Sequence, residues 1–404
     1  MILNNTQQAV SDSAIDWYFN SPDMLFQIDG EAGTGKSVVL NDIVKRLGLE
    51  DENVLAMAFT GQAAIVMRTK GLKNACTIHS ALFMPVLQDV VDPATGRVVI
   101  NPKFNMPVTK WIFVPKYIDK KQVKLVIVDE AYMVPASLKA HIDRLGIKTI
   151  VAGDTGQLPP VKEEPAYLVS GKIHHLTELM RQAEDSALVY LAHRARHGYH
   201  IDCGRYGNDV LVMYDDEIVD DVFQRCGIVL CGKNKTRDSL NHHIRNDVFQ
   251  RNTDYPMFGE RVICRKNNWS KEIDGIALAN GLTGSVVRPP SVSKFDGMTL
   301  NLDFKPDLLD QPFVDLDINY KYLNANYMDK DKIRNSPYES GDLLEYAYAS
   351  TVHLSQGSEY PCGIYYEEFL YPTIQKNLNY TAITRFKNQM IYVKHKPKYW
   401  STKN

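Results

Sequence analysis

A glycine-rich octapeptide, GEAGTGKS at positions 30–37, limits the possible folds of this chain more than any other segment. It follows the short apolar run MLFQIDG (24–30) and precedes SVVLNDIVKRLG, whose apolar residues recur at helical spacing. Glycines between a strand and a helix let the backbone wrap closely around phosphate, and the helix N-terminus adds positive potential for an anion. The sequence therefore predicts a phosphate-binding loop whose cofactor-binding positions are Gly30, Gly33, Thr34 and Gly35.

The side chains expected to complete this site come from the loop and from a second apolar run. Lys36 should reach the β- and γ-phosphates of a nucleotide, and the Ser37 hydroxyl should coordinate Mg²⁺. The run KLVIVDE (124–130) ends in two acids, of which Asp129 would hold the metal ion and Glu130 would orient and deprotonate a water molecule. Because burying unpaired carboxylates is costly, a pair that closes a buried strand favours a functional role. ATP and Mg²⁺ are the predicted cofactors.

A third apolar run ends in a similar way. In VAGDTGQLPPV (151–161), Gly153 and Asp154 close the strand, and Gln157 lies on a loop stiffened by two prolines. A neutral glutamine at this place can sense the γ-phosphate or position water. Gln157 therefore joins Lys36 and Glu130 as a predicted catalytic residue.

Buried strands and helices alternate along the first half of the chain. Four continuous runs of apolar residues are typical of strands covered on both faces; they are MLFQIDG (24–30), VLAMAFT (54–60), KLVIVDE (124–130) and IKTIVAGD (147–154). Because helical patterns separate these runs, they predict a parallel sheet built from βαβ units.

The second half of the chain has a different pattern. Short strands broken by prolines predict a small all-β insertion between about 285 and 345. A hairpin insertion is expected at about 82–120, where the segment 92–96 (DPATG) has the composition of a turn. Three apolar runs indicate a second α/β unit; they are GIVLCGKN (227–234), ERVICRKN (260–267) and QMIYVKHK (389–396).

Composition argues against several classes of protein. The 404 residues suggest two or three domains, and the apolar (44%) and charged (23%) shares are those of a soluble globular protein. A formal net charge of −2 argues against a static, charge-driven nucleic-acid binder. The first residues have no secretory pattern and no apolar run is long enough for a bilayer, so no membrane partner is expected. Six scattered cysteines without a CxxC pair favour reduced thiols in a cytoplasmic protein.

Five motifs together resemble a known family, the superfamily 1 helicases. They occur in that family's order and spacing, and they are GEAGTGKS, VDEAYM, GDTGQLPPV, LMRQ (179–182) and YTAITR (380–385). The likeness extends from Gln7 to Val393 and is closest to the RecD-like 5′→3′ branch, in particular to phage Dda-type DNA helicases. It implies an α/β protein with two RecA-like P-loop domains, 1–180 and 181–404. The first would carry the β-hairpin insertion, and the second would carry an SH3-like β insertion.

The resemblance also implies an activity. It indicates an ATP-dependent DNA helicase that translocates 5′→3′ on single-stranded DNA and unwinds forked duplex DNA, in the host cytoplasm if a phage encodes it. The ATPase motifs alone leave three alternatives open: an RNA helicase of the same superfamily, a small-molecule kinase, and an ATP-switched nucleic-acid-binding protein without unwinding.

By the same resemblance, four residues outside the phosphate-binding loop acquire roles at the nucleotide. Gln7 is similar to the glutamine that reads the adenine edge, although a polar residue at a helix start is the alternative. Arg181 and Arg385 are similar to two arginines that approach the γ-phosphate from the second domain, where a cation stabilises the charge of the transition state. Glu359 lies in a segment similar to the one that couples strand contacts to the nucleotide cleft.

A set of small or neutral polar residues resembles the nucleic-acid contacts of the family: Thr60, His79, Asn280, Thr351 and His353. Such donors can bind phosphates without fixing a base sequence, which translocation requires. For each histidine, a satisfied core residue is the alternative. The predicted hairpin turn lacks an aromatic residue that would separate strands, so Phe83, Phe104, Trp111 or the hairpin backbone could serve instead.

Charge is unevenly distributed along the chain. Lysines cluster at 103–124 and in the tail after Arg385, where KHKPKYW (394–400) suits phosphate contact and base stacking, or is a solvated basic tail. Acids cluster at 209–221 and at 303–317. These acidic patches are predicted to be solvated faces directed away from the strand, or docking sites for basic partners such as replication or recombination proteins.

Overall fold

The computed structural model describes residues 3–102, 105–160, 163–178, 186–292, 299–336 and 338–396. Six strands form a parallel sheet: β1 (Leu25–Gly30), β2 (Val54–Ala58), β3 (Cys76–Thr77), β8 (Leu125–Asp129), β9 (Thr149–Gly153) and β10 (Ile173–Leu176). Their order across the sheet is β10-β1-β9-β8-β2-β3. The four apolar runs that were expected to be buried parallel strands therefore all lie in this first sheet.

Helices cover both faces of the first sheet. They are α1 (Asn5–Asn20), α2 (Lys36–Arg46), α3 (Gly61–Thr69), α4 (Ile78–Leu82) and α5 (Ala136–Asp143). Apolar residues of α1, α2 and α3 share one buried cluster with the sheet, and those of α4 and α5 share another. Helix α1 begins with a capping box, in which Asn4 and Gln7 each accept the other's backbone N–H. These two layers of helices explain why the central strands are mostly apolar.

An antiparallel ribbon leaves the first sheet between α4 and β8. Strand β4 (Phe83–Asp89) pairs with β7 (Thr109–Pro115), and the short β5 (Ile100–Asn101) pairs with β6 (Met106–Pro107). The expected turn forms, because the Gly96 N–H donates to the Asp92 carbonyl at 2.8 Å. The ribbon lies in the region where the hairpin insertion was predicted. Many of its apolar side chains are exposed: Met84, Leu87, Val91, Val98, Ile100, Met106, Phe113 and Val114.

A second six-stranded sheet comes from the other half of the chain. Its strands are β11 (Gly204–Tyr206), β12 (Val210–Tyr214), β13 (Val229–Cys231), β21 (Ala349–Thr351), β22 (Tyr360–Tyr366) and β23 (Phe386–Lys394). Their order is β11-β12-β23-β22-β13-β21, and each neighbouring pair is parallel except β11 and β12. The runs 227–234 and 389–396 therefore contribute strands to this second α/β unit, as predicted.

Four α-helices accompany the second sheet: α6 (Ala187–Arg196), α7 (Asp220–Arg225), α8 (Asn234–His242) and α11 (Pro372–Ile383). A π-helical segment, His243–Val248, continues α8. Helices α6 and α11 share a buried apolar cluster with the sheet. Within the described ranges, no helix combines the length and apolar character that a membrane span requires.

A five-stranded antiparallel sheet lies between β13 and β21 in the sequence. It consists of β14 (Arg261–Cys264), β17 (Thr283–Val292), β18 (Thr299–Pro306), β19 (Phe313–Asn319) and β20 (Leu344–Tyr346), in the order β19-β18-β17-β14-β20. The hairpin of β15 (Asn268–Ile273) and β16 (Ile276–Leu278) and the helices α9 (Tyr320–Asn324) and α10 (Tyr327–Asn335) are connected to it. The five-stranded sheet and this hairpin, which we call the all-β region, begin at Arg261, and α9 and α10 lie within 285–345. The prediction of an all-β insertion with the bounds 285–345 is therefore corrected, and its SH3-like character stays a prediction.

The run 260–267 was assigned to the second α/β unit, and this was wrong. Its strand β14 pairs antiparallel with β17 and β20 in the middle of the five-stranded sheet. Three of its four residues are buried. A short, continuous apolar run is compatible with either type of sheet, because periodicity does not show which neighbours a buried strand will have.

The core of the first sheet continues into the antiparallel sheet. Ile65 of α3 and Leu278 of β16 belong to the same cluster of buried side chains. Gly61 allows a close approach there, because a Cβ atom at this position would lie 3.3 Å from the Cβ of Ala279. The second sheet has its own apolar clusters. The all-β region therefore packs against the first half of the chain, although it is inserted in the second.

The six cysteines are free thiols. Cys231 and Cys264 are buried, whereas Cys203 is exposed. Burial raises the pKa of Cys226 to about 11 and that of Cys264 to about 12, so both thiols are protonated at neutral pH.

Candidate active site

The phosphate-binding loop connects β1 to α2 at the edge where β8 and β9 also end. Gly33 and Gly35 have φ values of 85° and 81°, a region that other residues rarely populate. A Cβ atom on Gly30 would lie 2.7 Å from Thr34 Oγ1, so no side chain fits there. Thr34 is buried, and its hydroxyl donates to the Glu31 carbonyl at 2.8 Å. The loop leads into the start of α2, where the first N–H groups have no acceptor within the helix.

Lys36 and Gln7 contact this loop from different sides. The Nζ of Lys36 donates to the carbonyls of Gly30 at 2.6 Å and Glu31 at 3.3 Å. Gln7 is buried, and its Nε2 donates to the Thr34 carbonyl at 2.9 Å while its Oε1 accepts the N–H of Asn4 at 3.0 Å. Both polar ends of Gln7 are therefore engaged in the helix start and the loop, which favours the structural alternative. Its reading of adenine stays a prediction.

Asp129 ends β8 and Glu130 follows it, beside the loop. Asp129 Oδ1 accepts the N–H of Glu130 at 2.9 Å, and Glu130 has the left-handed φ of 52°, which is uncommon for a glutamate. Burial raises the pKa of Glu130; Arg385 and Lys36 oppose this effect, and Asp129 adds to it. Because a more basic carboxylate is a better proton acceptor once ionised, this environment suits a general base.

The segment after β9 faces the same cleft. Asp154 is buried and accepts the N–H of Gly156 at 2.9 Å. Gln157 is also buried, and its Oε1 has no hydrogen-bond partner among the described residues. Leaving a buried amide oxygen unpaired costs free energy, so a donor in the cleft would stabilise it. This unpaired oxygen is consistent with the prediction that Gln157 positions water or senses phosphate.

Arg385 reaches the cleft from the second sheet. It follows α11 and is 5% exposed, and its guanidinium donates to the carbonyls of Thr381 at 3.2 Å and Ser358 at 3.3 Å. It is close enough to Glu130 to act on the pKa of that carboxyl. Arg181, the other arginine that was predicted to approach the γ-phosphate, lies outside the described residues.

Glu359 forms ion pairs with both halves of the chain. Its carboxylate lies 3.3 Å from the Nζ of Lys70, which follows α3, and 2.5 Å from the Nζ of Lys387 in β23. Burial alone would raise the pKa of Glu359, but the two lysines outweigh it and hold the pKa below its ordinary value. The carboxylate is therefore ionised at neutral pH and links the two sides of the cleft.

Together these groups line one cleft of about 690 Å³, formed by residues of both halves of the chain. Of the predicted site residues, the following line it: Gly33, Gly35, Lys36, Ser37, Asp129, Glu130, Gln157, Glu359 and Arg385. Lys36 and the start of α2 can bind phosphates. The hydroxyl of Ser37 and the carboxylate of Asp129 provide the oxygen ligands that Mg²⁺ prefers. The cleft thus has the groups that a Mg²⁺–nucleoside triphosphate requires, together with a base and a cation.

Two residues that were predicted to contact nucleic acid have structural roles in this fold. Thr60 caps α3, since its hydroxyl accepts the N–H of Ala63 at 3.1 Å, and a Cβ atom on Gly357 would lie 2.6 Å from that hydroxyl. Thr351 is buried at the end of β21, and its hydroxyl accepts the N–H of Leu354 at 3.4 Å. Contact of either hydroxyl with a nucleic-acid strand stays a prediction.

His79 begins a row of aromatic rings. Its ring centroid lies 5.9 Å from that of Phe83 and 5.8 Å from that of Phe113 in the ribbon. Phe113 in turn lies 5.5 Å from Trp269 of β15. The row therefore joins the root of the ribbon to the all-β region. Burial lowers the pKa of His79, so its imidazole is neutral at neutral pH.

The remaining two predicted contacts differ in exposure. Asn280 has an exposed side chain, and its backbone N–H donates to Asn267 Oδ1 at 2.6 Å. His353 is half-buried, and burial lowers its pKa as well. Both histidines can therefore offer neutral hydrogen-bonding groups, which is the property that the prediction required.

The aromatic candidates for strand separation occupy different parts of the ribbon. Phe83 is buried at its root. Trp111 is half-buried and lies opposite Leu87 in the ribbon. Phe104 lies outside the described residues. Among the candidates within the described ranges, Trp111 therefore lies farther from the root of the ribbon than Phe83.

The acidic patches are partly neutralised within the chain. In the first patch, Asp216 lies 2.5 Å from the Nζ of Lys396, and Asp215 accepts the N–H of Lys396 at 3.1 Å. In the second patch, the guanidinium of Arg261 forms a bidentate salt bridge with the Asp307 carboxylate. These side chains remain partly exposed, so the acidic patches as solvated faces or as docking sites for basic partners stay a prediction.

Sequence reasoning missed two side chains behind the cleft, Arg196 and Tyr380. Arg196 belongs to no motif, and Tyr380 begins YTAITR, which was interpreted for its arginine alone. The signal that points to them is Gly156 in GDTGQ, where a Cβ atom would lie 2.1 Å from the Arg196 guanidinium and 2.9 Å from the Tyr380 ring. A glycine in such a loop indicates a close approach, but it does not identify the neighbour.

Known proteins share these features. The family described as AAA domain matches residues 3–212. The ATP-dependent RecD2 DNA helicase of Deinococcus radiodurans is 25% identical over 398 residues, which cover 90% of this chain and 46% of that protein. The ATP-dependent DNA helicase PIF1 of Emericella nidulans is 27% identical over 150 residues, which cover 33% of this chain and 18% of that protein. The chain thus spans less than half the length of these relatives.

Solved structures have the same fold. A Pif1 helicase studied for unwinding at forked duplex DNA has a TM-score of 0.56 and 19% identity, covering 97% of this chain and 92% of its own. Bacteroides Pif1 bound to single-stranded DNA has a TM-score of 0.55 and 18% identity with the same coverage. The AAA-domain match and the likeness to RecD2, together with this shared fold, confirm the resemblance to superfamily 1 helicases of the RecD and Pif1 type. Since the match to the AAA domain extends over more than half of the sequence, the chain belongs to the AAA-domain family.

Proposed function

We propose that this chain is an ATP-dependent DNA helicase that translocates 5′→3′ on single-stranded DNA and separates forked duplexes. The observation that carries the proposal is the shared cleft, which Lys36 and Glu130 line from the first half and Arg385 from the second. A hydrolytic site completed from a second unit makes hydrolysis depend on closure of the cleft. The likeness to RecD2 and Pif1 supports DNA as the substrate, and the 5′→3′ direction follows from the RecD-like resemblance.

Each group in the cleft has a role in this proposal. Lys36 and the start of α2 bind the phosphates, and Ser37 and Asp129 would hold Mg²⁺, which neutralises phosphate charge when it is bound. Glu130 accepts a proton from the attacking water, which Gln157 orients. Arg385, together with Arg181, stabilises charge on the phosphoryl oxygens. By the resemblance, Gln7 would read the adenine edge, and Glu359 would couple contacts with the nucleic acid to the nucleotide cleft.

We propose that the two halves of the chain are the domains 1–180 and 181–404. The single-stranded DNA would cross both of them. Neutral donors contact its phosphates, and the row His79, Phe113 and Trp269 offers ring faces to bases, a contact that tolerates any base sequence. The proposed contact residues are Thr60, His79, Asn280, Thr351 and His353. Replication or recombination is the proposed setting for this activity.

Unwinding of duplexes with one single-stranded tail tests this proposal. We expect separation of DNA forks that carry a 5′ tail, and no separation when the tail is at the 3′ end or when the duplex is RNA. Unwinding from the 3′ tail alone would refute the direction. Equal activity on RNA would favour the RNA helicase, since shape and 2′-hydroxyl contacts decide between the two nucleic acids.

A substitution at the phosphate-binding loop tests the link between hydrolysis and unwinding. Lys36→Ala should abolish ATPase and unwinding together, because it removes the cation from the phosphate site. Lys45→Ala, which removes an exposed lysine from the same helix, is the matched control and should retain both activities. If wild-type ATPase does not respond to added single-stranded DNA, the motor is contradicted and the kinase alternative is favoured.

A further inference from the structure

A cluster of four side chains crosses the cleft behind the phosphate-binding loop. We call it the cross-cleft cluster: Glu31 and Asp154 from the first half, Arg196 and Tyr380 from the second. Arg196 ends α6, and its Nη1 lies 2.5 Å from Asp154 Oδ1. Its Nε lies 3.2 Å from Glu31 Oε1. One guanidinium therefore contacts both the phosphate-binding loop and the segment that leads to Gln157.

Tyr380 forms the second connection. Its hydroxyl donates to Asp154 Oδ2 at 2.5 Å and accepts the N–H of Ala32 at 3.0 Å. Tyr380 and Asp154 are each 1% exposed. Burial raises the pKa of Tyr380 well above its ordinary value, so the hydroxyl retains its proton at neutral pH. A single hydroxyl of helix α11 thus binds a backbone amide of the phosphate-binding loop and a carboxylate of the neighbouring segment.

The backbone around Asp154 is fitted to this contact. A Cβ atom on Gly156 would clash with Arg196, and further hydrogen bonds join the following residues to the second half. Leu158 N–H donates to Thr381 Oγ1 at 2.9 Å, and Asn377 Nδ2 donates to the Gly156 carbonyl at 2.9 Å. The segment that carries Gln157 is therefore bound along its length to α11.

Helix α11 also determines where Arg385 lies. Arg385 comes five residues after Tyr380 in the sequence, and its Nε donates to the carbonyl of Thr381. The position of Tyr380 relative to the phosphate-binding loop therefore sets the position of Arg385 relative to Glu130. A buried ion pair at an interface contributes little net stability, but it fixes the register of the two surfaces.

We propose that Arg196 and Tyr380 are positioning residues for ATP hydrolysis, which hold α11 in register with the phosphate-binding loop so that Arg385 enters the cleft. This proposal rests on the ATPase of the proposed function. Neither side chain reacts with substrate. Both act through Asp154, and they place Gln157 and Arg385 at the same time.

Two conservative variants of the full chain test the proposal. Tyr380→Phe removes one hydroxyl, and Arg196→Lys keeps the charge but loses the geometry that reaches two carboxylates. Each should lower the kcat of ATPase stimulated by single-stranded DNA about tenfold, since a hydrogen bond to a charged group is lost, while KM for ATP changes less than about threefold. Because both act through Asp154, the double variant should lose about as much kcat as one single variant, about tenfold. Independent effects would instead multiply to about a hundredfold loss.

Matched controls separate positioning from general packing. Tyr392→Phe removes another buried hydroxyl, which donates to Glu367 at 2.8 Å and lies in β23. Arg194→Lys changes a neighbouring half-buried arginine of α6, which donates to the His200 carbonyl at 3.0 Å and does not contact the cross-cleft cluster. Both controls should keep the wild-type kcat. Thermal unfolding of every variant is measured first, and Arg196→Lys decides the test if Tyr380→Phe does not fold.

Three results would overturn the proposal: a kcat of Tyr380→Phe equal to that of Tyr392→Phe, a loss confined to KM, or fully multiplicative losses in the double variant. The failure of the proposed function has a different signature, because wild-type protein would then show no ATPase that responds to single-stranded DNA. A wild-type motor with unaffected cluster variants would overturn only the positioning roles.

Discussion

Two glutamates of this protein, the half-buried Glu130 and the buried Glu345, show how the same side chain can serve chemistry or stability. Each lies in or directly after a mostly buried strand, β8 for Glu130 and β20 for Glu345. Burial raises the pKa of Glu130. Burial opposes ionisation of Glu345 too, but the charges of Arg265, Arg237 and Lys330 outweigh it and lower its pKa. Burial opposes ionisation of both residues, but the pKa of Glu130 is raised and that of Glu345 is lowered.

The difference lies in where the partners come from. Glu345 is 3% exposed and has an arginine, Arg237, at 2.9 Å, while the hydroxyl of Tyr322 donates to it at 2.7 Å. These partners belong to the same half of the chain. Glu130 faces a cleft whose cations, Lys36 and Arg385, come from different halves. A carboxylate that is paired within one unit stabilises that unit, whereas one left without a close cation at a cleft stays available for proton transfer.

The largest expected effect is that of Glu130→Gln on hydrolysis. Loss of the general base should lower the kcat of the ATPase stimulated by single-stranded DNA about a thousandfold, because glutamine cannot accept the proton. Binding of nucleotide, measured by fluorescence titration, should persist. Glu163→Gln, at an exposed position of the same half, is the control. A variant that retains wild-type turnover would remove Glu130 from the chemistry.

The next effect is that of Glu345→Gln on stability. The substitution leaves three cations near a buried neutral group, and breaking a buried ion network costs about 3 kcal/mol. Urea unfolding should show this loss, while the ATPase of the folded protein should change little. The matched control is Glu339→Gln, whose partially exposed ion pair with Lys321 should contribute less than about 1 kcal/mol. Equal losses in the two variants would contradict the assigned difference between the buried and exposed pairs.

The smallest effect, and the sharpest test of the comparison, is the dependence of stability on pH. The ordinary glutamate pKa is 4.5. Because the pKa of Glu345 is lowered in the folded state, ionised Glu345 stabilises the fold above pH 4.5. This stabilisation is lost as the pH falls through the folded-state pKa. Because the pKa of Glu130 is raised, ionising it costs stability as pH rises from 4.5 through its folded value. Glu130→Gln should therefore be more stable than wild type above that window, and equal to it at lower pH.

Unfolding curves of wild type and both variants at a series of pH values measure these windows. The difference in free energy of unfolding between wild type and Glu345→Gln should shrink as pH falls below 4.5. The difference between wild type and Glu130→Gln should grow as pH rises above 4.5. If both differences changed on the same side, one of the two assigned environments would be incorrect.

The sequence predicted the elements around the phosphate-binding loop well, because their signals are local. The apolar runs that became β1, β2, β8 and β9 are continuous, and the groups at the ends of β1, β8 and β9 line one cleft. Run 260–267 was assigned to the wrong sheet, because a buried strand has the same composition in parallel and antiparallel surroundings. The role of Gln7 at adenine came from the resemblance, and the sequence did not show the two hydrogen bonds by which its side chain joins a helix start to the loop.

Residues that act across the cleft were the hardest to predict. Arg196 contacts Asp154, 42 positions away, and Tyr380 contacts Ala32, 348 positions away. Neither contact leaves a periodic pattern in the sequence. Glu345 and its arginines are spread over the second half in the same way, and an arginine in a sequence does not show which carboxylate it will meet.

By itself, the sequence determined the strand–loop–helix that can bind phosphate, the acids that end the buried strands, and the membership of a family through motifs in order. These features depend on neighbours within a few residues, where backbone geometry and hydrophobic burial act. Only the tertiary structure decided that Arg196 and Tyr380 meet at Asp154, that β14 lies in an antiparallel sheet, and that Glu130 and Glu345 have opposite pKa shifts. The physical reason is that electrostatic interactions and close packing depend on distances in space, which are set by how the two halves of the chain are assembled.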